Sequence, residues 1–201
     1  PGLHDTHRPD VMRGEETQIA GVLAREPATT RLLLPGTHSK WVRLRDGIVT
    51  DFATVMTGEL YGLLRQHSIL GAALPEARDD ADAFRRGVAA ARGSGPAGAL
   101  SLLFSARALM LDGVLDPASV PDYLSGLLIG EELRMALAAG WGDADDDIPM
   151  VGEGPLCDRY RRAADTFGLR LARAPEGTTA DGLWRIAAAA GLVPAPATIT
   201  S

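Results

Sequence analysis

Two short runs of apolar and β-branched residues stand close together in the first third of the chain. One covers residues 31–44 and the other residues 48–56, with Asp46-Gly47 between them. Asp-Gly between two such runs is a strong hairpin signal, because a type I′ turn needs positive φ at both central residues. The pattern therefore predicts a β-hairpin, and then a helix that Thr57 caps. The leucines expected in the buried stripe of that helix are Leu60, Leu63 and Leu64.

The middle of the chain carries apolar residues at helical spacing. This spacing predicts helices over residues 79–92, 99–111 and 120–139. Ser119 is a good N-cap for the last of them, and Gly140 stands just past its end. The stretch YLSGLLIG inside that helix is apolar on nearly every side, which is typical of a helix packed against a sheet.

The last quarter of the chain alternates strand and helix signals. Residues 148–151 predict a short buried strand, and residues 169–174 predict an edge strand because apolar residues alternate with arginine there. Residues 155–167 and 180–190 predict helices, the first of which ends at Gly168. The predicted order of hairpin, helices, strand, helix, strand and helix is that of an α/β fold in which helices cover a mixed sheet.

Composition narrows the classes of function. The net charge of −6 and the pI near 5.2 argue against a nucleic-acid binder, which carries a basic face to neutralise phosphates. No segment reaches the roughly 20 apolar residues of a membrane span, and the N-terminus does not resemble a signal peptide. The lone Cys157 agrees with a reducing cytoplasm. We therefore expect small-molecule partners, with no nucleic acid and no membrane.

The first candidate for chemistry is the segment LLLPGTHSKWV. It sets Gly36, Thr37, His38, Ser39 and Lys40 at a tight bend, where backbone N–H groups and hydroxyls can face phosphate oxygens and lysine can supply a compact charge. The alternative is a plain hairpin corner, since glycine is common at strand bends. Lys40 favours the phosphate interpretation, because the other 19 of the 20 basic residues are arginine.

A second candidate is VGEGPLCDRYRRAA, in which a strand ends at Gly152-Glu153-Gly154 and a helix follows at once. Glycines there let a ligand approach the backbone, and the helix N-terminus offers partial positive charge. Because Cys157 stands where the dinucleotide fingerprint needs its third glycine, a dinucleotide fold is not predicted. An ordinary strand-to-helix turn is the alternative.

The third candidate is MRGEETQIAG, where Arg13 precedes the adjacent carboxylates Glu15 and Glu16. A carboxylate within about 3 Å of a substrate hydroxyl can act as a general base, and a nearby arginine can bind an anionic substrate. The alternative is that both acids stabilise the first turn of a helix. We interpret the acidic run at residues 143–147 as a solvated loop, and no protein metal site is predicted.

Taken together and in this order, VMRGEETQ, LLLPGTHSKWV, DGIVTDFATVMTGEL, YLSGLLIG and VGEGPLCDRY closely resemble the 2-dehydro-3-deoxygalactonokinases. The match spans nearly the whole chain, and the joint occurrence of RGEETQ and PGTHSKWV is highly specific. The resemblance implies an α/β, actin-like (ribonuclease H-like) sugar kinase fold, mainly its C-terminal lobe with a mixed sheet flanked by helices. Residues 1–29 then belong to the N-terminal lobe and interlobe segment, and residues 30–201 form the ATP-binding lobe with a helical insertion at about 68–118.

The resemblance also implies a reaction and a set of site residues. The family transfers the γ-phosphoryl group of ATP, with Mg²⁺, to the C6 hydroxyl of 2-dehydro-3-deoxy-D-galactonate in galactonate breakdown. The segment 36–39 looks like the second phosphate motif of related sugar kinases, and Gly152 and Gly154 look like their adenosine-binding turn. By position Glu15 is the implied catalytic base and Glu16 the reserve.

Relatives in this superfamily begin with a first phosphate motif of the Asp-Trp-Gly-Ser/Thr type, and no such segment precedes Pro1 in this sequence. We therefore expect the 201-residue chain alone to be inactive as a kinase, and an uncovered apolar face to favour aggregation or a homodimer. Two alternatives stay open. One is a truncated or degenerate actin-like domain that binds nucleotide without turnover, and the other is a kinase for another sugar.

Overall fold

The computed structural model describes residues 2–6, 8–143 and 147–193. Its centre is a mixed sheet of five strands in the spatial order β5-β4-β3-β6-β7. The strands β3, β4 and β5 form an antiparallel meander, while β6 runs parallel to β3 and β7 parallel to β6. These strands are β3 (Arg31–Leu34), β4 (Ser39–Arg45), β5 (Ile48–Val55), β6 (Asp147–Met150) and β7 (Arg170–Arg173).

The helices lie on both faces of this sheet. In chain order they are α1 (Glu15–Arg25), α2 (Thr57–His67), α3 (Ala81–Arg92), α4 (Ser105–Leu111), α5 (Val120–Ala138), α6 (Gly154–Phe167) and α7 (Thr178–Ala189). Short 3-10 turns at Gly95–Ala97, Ala99–Leu102 and Pro117–Ser119 connect the middle helices. The predicted α/β fold with a mixed sheet flanked by helices is confirmed.

Alternation along the strands decides which helices cover each face. Leu33 and Trp41 pack in one core with residues of α3, α5 and α6. Leu32 and Val42 are their direct neighbours in sequence, and they pack in a second core with residues of α1. Successive side chains of a strand point to opposite faces, so each strand supplies both cores. The result is three layers, with the sheet in the middle.

The first predicted hairpin has the expected turn. Asp46 and Gly47 both have positive φ, of 52° and 75°, as a type I′ turn requires. The run 31–44, however, is two strands rather than one interrupted strand, because the chain reverses at the bend so that Leu34 pairs with Lys40 across an antiparallel ladder.

The helices differ from the prediction in several details. The hydroxyl of Thr57 does not cap α2; it donates instead to the buried carboxylate of Glu132. Leu63 is 48% exposed rather than buried. The predicted helix over 99–111 is a 3-10 turn followed by the shorter α4. Residues 70–127 contribute a separate small core, packed between α3, α4 and α5.

A two-stranded ribbon at the N-terminus was not predicted. It pairs β1 (Leu3–Asp5) with β2 (Asp10–Met12), and Asp10 joins it to β5 by accepting hydrogen bonds from the backbone N–H of Thr54, at 2.7 Å, and from its hydroxyl, at 2.5 Å. Three-residue strands have too few positions to show a period-two pattern. Among the described residues, no helix is both long and apolar enough to cross a membrane.

Candidate active site

The bend between β3 and β4, residues 35–38, lies under the beginning of α2. The N–H of Glu59 donates to the carbonyl of Thr37 at 3.0 Å. A Cβ on Gly58 would lie only 2.6 Å from the carbonyl oxygen of Gly36, so the helix can approach the bend this closely only with glycine at that position. A Cβ on Gly36 would meet no atom within 4 Å. The bend is therefore held on one side and open on the other.

The bend and the glycine-rich turn after β6 meet at one end of the sheet. The strands β3 and β6 are adjacent and parallel, so the segments that follow them leave the sheet at the same edge. A cavity of about 500 Å³ there is lined by Gly36 and Thr37 from the bend and by Gly152 and Glu153 from the turn. Residues that are more than 110 positions apart in sequence thus share one cavity.

Gly152 leaves room for this close approach. A Cβ at that position would lie 3.0 Å from the carbonyl oxygen of Pro35. Helix α6 begins at the next glycine, and no side chain caps its first turn. Its N-terminal amides supply partial positive charge beside the cavity.

A neighbouring cavity of about 310 Å³ shares Gly36, Glu153 and Leu156 with the first. Tyr61 and Leu128 are among the residues on its other sides, so its walls combine an aromatic ring with aliphatic side chains. A polar cavity beside a more apolar one suits a ligand with a charged end and a flat, less polar end.

The two acids of the RGEETQ segment differ in their surroundings. The Oε1 of Glu15 lies 3.7 Å from the Nζ of Lys40, whose side chain is 5% exposed. The Oε2 of Glu15 accepts a hydrogen bond from the backbone N–H of Arg13 at 2.8 Å. Glu16 instead accepts from the N–H of Gly14 at 2.7 Å. Only Glu15 therefore connects α1 to the strand that leaves the bend.

Comparison with known proteins identifies the family. A family model described as 2-keto-3-deoxy-galactonokinase matches residues 1–186. The chain belongs to the 2-keto-3-deoxy-galactonokinase family. A relative in Rhizobium meliloti (strain 1021), named "Probable 2-dehydro-3-deoxygalactonokinase DgoK1", is 45% identical over 180 residues. The 2-dehydro-3-deoxygalactonokinase of Escherichia coli (strain K12) is 42% identical over 171 residues.

A solved member of the kinase family has the same fold. The crystal structure of a "putative 2-dehydro-3-deoxygalactonokinase protein" from Sinorhizobium meliloti superposes with a TM-score of 0.82 at 39% identity. The match covers 96% of this chain and 64% of that one. The two curated relatives are matched over 85% and 84% of this chain, but over only 57% and 56% of their own length. The chain thus spans little more than half of the curated galactonokinases it matches.

The structure separates the five residues, 36–40, that the sequence predicts at the phosphate site of this member of the galactonokinase family. Gly36 and Thr37 line the cavity. His38 is half-exposed and forms a short contact with the carboxylate of Glu59. Ser39 and Lys40 are buried. Ser39 contacts Tyr160 on one side of the sheet, and Lys40 pairs with Glu15 of α1 on the other.

The other residues predicted for the site differ in whether they reach the cavities. Glu153 lines both cavities, whereas Gly154 packs against the guanidinium of Arg173, whose Nη1 would lie 3.0 Å from a Cβ at residue 154. Arg13 is exposed, one residue before the turn into α1. No group of three or more His, Cys, Asp or Glu residues placed to hold a metal ion occurs in the described part of the chain. The acidic run at 143–147 falls partly outside the described residues.

Sequence analysis missed Glu132, in the middle of α5. Its side chain is 1% exposed and accepts hydrogen bonds from Trp41 Nε1 at 2.9 Å, from the Tyr160 hydroxyl at 2.6 Å and from the Thr57 hydroxyl. Burial raises the pKa of Glu132 above its usual value, although these hydrogen bonds act in the opposite direction. The carboxylate is connected to the residue that follows the bend through Tyr160, whose hydroxyl contacts the hydroxyl of Ser39.

Proposed function

We propose that the protein containing this chain transfers the γ-phosphoryl group of ATP, bound with Mg²⁺, to the C6 hydroxyl of 2-dehydro-3-deoxy-D-galactonate. The single observation that carries the proposal is the cavity where Gly36 and Thr37 face Gly152 and Glu153 in a chain of this kinase family. Phosphoryl transfer depends mainly on alignment and charge neutralisation, which open backbone amides at such a cavity can provide.

In this proposal the nucleotide extends across both cavities. The phosphates lie against the bend at Gly36 and Thr37, where no side chain separates ligand from backbone. The adenosine lies along the turn at Gly152 and Glu153, with the purine toward Tyr61 in the adjoining cavity. Mg²⁺ bound to nucleotide phosphates needs only one or two protein carboxylates. It would enter with ATP and neutralise phosphate charge.

Glu15 is the proposed general base. It accepts the proton of the C6 hydroxyl as that oxygen attacks the γ-phosphorus and ADP leaves. The Lys40 ammonium on β4, two residues past the bend, lies 3.7 Å from the Glu15 carboxylate, which sets Glu15 apart from Glu16. Arg13 is proposed to bind the carboxylate of the sugar acid.

The division of the chain between residues 29 and 30, into an N-terminal segment and an ATP-binding lobe, stays a prediction. A cytoplasmic location also stays a prediction.

A coupled ADP-release assay tests the proposal. The protein expressed from the complete reading frame should release ADP with 2-dehydro-3-deoxy-D-galactonate, and far more slowly with an amino sugar or with no acceptor. The 201-residue chain assayed in parallel tests the expectation that it does not turn over alone. Faster ADP release with another sugar than with the sugar acid would contradict the substrate assignment.

A further inference from the structure

A line of hydrogen bonds connects the buried carboxylate to the bend. The Tyr160 hydroxyl donates to Glu132 at 2.6 Å, the Ser39 hydroxyl lies 2.9 Å from that of Tyr160, and the Gly36 N–H lies 3.5 Å from the Ser39 oxygen. Each hydroxyl has one proton. When Tyr160 donates to Glu132, Ser39 donates to Tyr160, and an acceptor lone pair of Ser39 remains for Gly36. The carboxylate thus sets the direction of the whole line.

A second connection runs through α2. Thr57, the first residue of that helix, also donates to Glu132. Two residues further on, Glu59 donates its backbone N–H to the carbonyl of Thr37. Gly58, between them, packs directly on Gly36. Both sides of the bend are therefore connected to the same carboxylate.

We propose that Glu132 is the positioning residue of the phosphate-binding bend. Through Tyr160 and Ser39 on one side and Thr57 on the other, it fixes the backbone of residues 36 and 37 in the conformation that receives the ATP phosphates. Its side chain is 1% exposed, so it acts through these groups and does not touch the ligand. The nature of the ligand rests on the proposed function, whereas the connection between Glu132 and the bend does not.

A carboxylate suits this position better than an amide of the same shape. All three partners donate to it. Trp41 donates to Oε1, whereas Thr57 and Tyr160 both donate to Oε2. Glutamine would set its N–H₂ group either against the two hydroxyls, which breaks the line to Gly36, or against the indole N–H of Trp41, which cannot turn away. Either arrangement loses a hydrogen bond of Glu132 without removing side-chain volume.

Two variants and a matched control test the proposal without any ligand. Glu132→Gln changes the carboxylate, and Tyr160→Phe removes the connection to Ser39 while keeping the charge. Glu131→Gln makes the same chemical change one residue earlier, where the carboxylate pairs with Arg134 at 2.6 Å. Amide hydrogen exchange should be about tenfold faster at Gly36 in both variants and at Glu59 in Glu132→Gln, and unchanged at both positions in the control. Unchanged exchange in both test variants, or equal acceleration in the control, would overturn the proposal.

Nucleotide binding provides the second measurement. In the 201-residue chain, Glu132→Gln should weaken ATP binding about tenfold and adenosine binding less, because the phosphates lie against both Gly36 and Thr37 whereas the purine cavity includes only Gly36 of the bend. Equal weakening of both ligands would indicate general loss of structure and would overturn the positioning role. If the unmodified chain binds no ATP, the proposed nucleotide site fails, and hydrogen exchange alone decides the role of Glu132. If Glu132→Gln does not fold, amide hydrogen exchange and nucleotide binding are measured with Tyr160→Phe instead.

Discussion

At the scale of single residues, Gly36 is the position where the absence of a side chain should matter most for function. No atom lies within 4 Å of a Cβ placed there. Gly36→Val should therefore leave thermal stability nearly unchanged, while its methyl groups enter the cavity and lower kcat/KM for ATP about 10²-fold or more. Gly36→Ala, with one methyl, should give a smaller loss. Near-normal turnover by the valine variant would rule out the bend as the phosphate site.

The two adjacent acids give a second residue-scale test. Glu15→Gln should lower kcat by about 10²- to 10⁴-fold with little change in ATP affinity, because it removes only the proton acceptor. Glu16→Gln is the matched control, since Glu16 accepts a backbone hydrogen bond from Gly14 whereas Glu15 is the acid that pairs with Lys40. Steady-state kinetics of both variants decide the assignment. A large loss in Glu16→Gln alone would reverse the roles, and small losses in both would return both acids to helix stabilisation.

Glu132 should also affect stability as a function of pH. Its raised pKa means that, above the ordinary value of 4.5, the folded protein keeps a proton that the unfolded chain has released. The contribution of Glu132 to the free energy of unfolding is therefore full below 4.5 and falls as pH rises through the folded pKa. Glutamine does not titrate, so Glu132→Gln should gain stability relative to the unmodified chain across that window. Urea unfolding from roughly pH 4 to pH 7 measures this difference. If the free energies of unfolding of the variant and the unmodified chain differ by the same amount at every pH, the raised pKa of Glu132 is contradicted.

The sequence identifies some residues of the candidate site but not Glu132. Gly36 and Gly152 were found because a bend and a turn have local signatures. Glu132 was not, because its donors Trp41, Thr57 and Tyr160 lie 91, 75 and 28 residues away along the chain. Nothing local distinguishes Glu132 from Glu131, since the rotation of α5 against the sheet decides which carboxylate is buried.

At the scale of elements, the contact between α2 and the bend should be sensitive to a single methyl group. Gly58→Ala would place a Cβ 2.6 Å from the Gly36 carbonyl oxygen, so the helix and the bend must separate and ATP affinity should fall. Gly62→Ala, one turn along the same helix, meets nothing within 4 Å and should stabilise the chain by up to about 1 kcal/mol through helix propensity. Thermal unfolding and ATP titration of both variants test this contrast. Equal effects on ATP affinity would show that α2 does not hold the bend.

Local sequence predicts the ends of helices and strands correctly where turn-forming or helix-ending residues are present. The Asp46-Gly47 turn and the end of α6 at Gly168, which has a φ of 70°, were correctly predicted. The reversal at the bend and the exposure of Leu63 were not, because strand pairing and the covering of a helix face depend on distant segments. Thr57 shows the same limit, since a buried acceptor 75 residues away competes with capping.

At the scale of the whole molecule, the parallel pairing of β3 and β6 creates the site by bringing two distant turns to one sheet edge. Met12, Ile19 and Val22 pack in the same core as the sheet, so the N-terminal segment is structurally part of this body. Leu183 and Trp184 on α7 are 62% and 47% exposed. This apolar surface agrees with the expectation of self-association, which stays a prediction.

Whether one ATP molecule contacts both turns is the most direct test of the proposed nucleotide site. Backbone amide resonances of the 201-residue chain can be followed by nuclear magnetic resonance during titration with ATP, with adenosine as the comparison ligand. ATP should shift Gly36, Thr37, Gly152 and Glu153 together, whereas adenosine should leave Thr37 unshifted, because Thr37 lines only the cavity proposed for the phosphates. Shifts confined to other parts of the chain, or at neither turn, would contradict the proposed site.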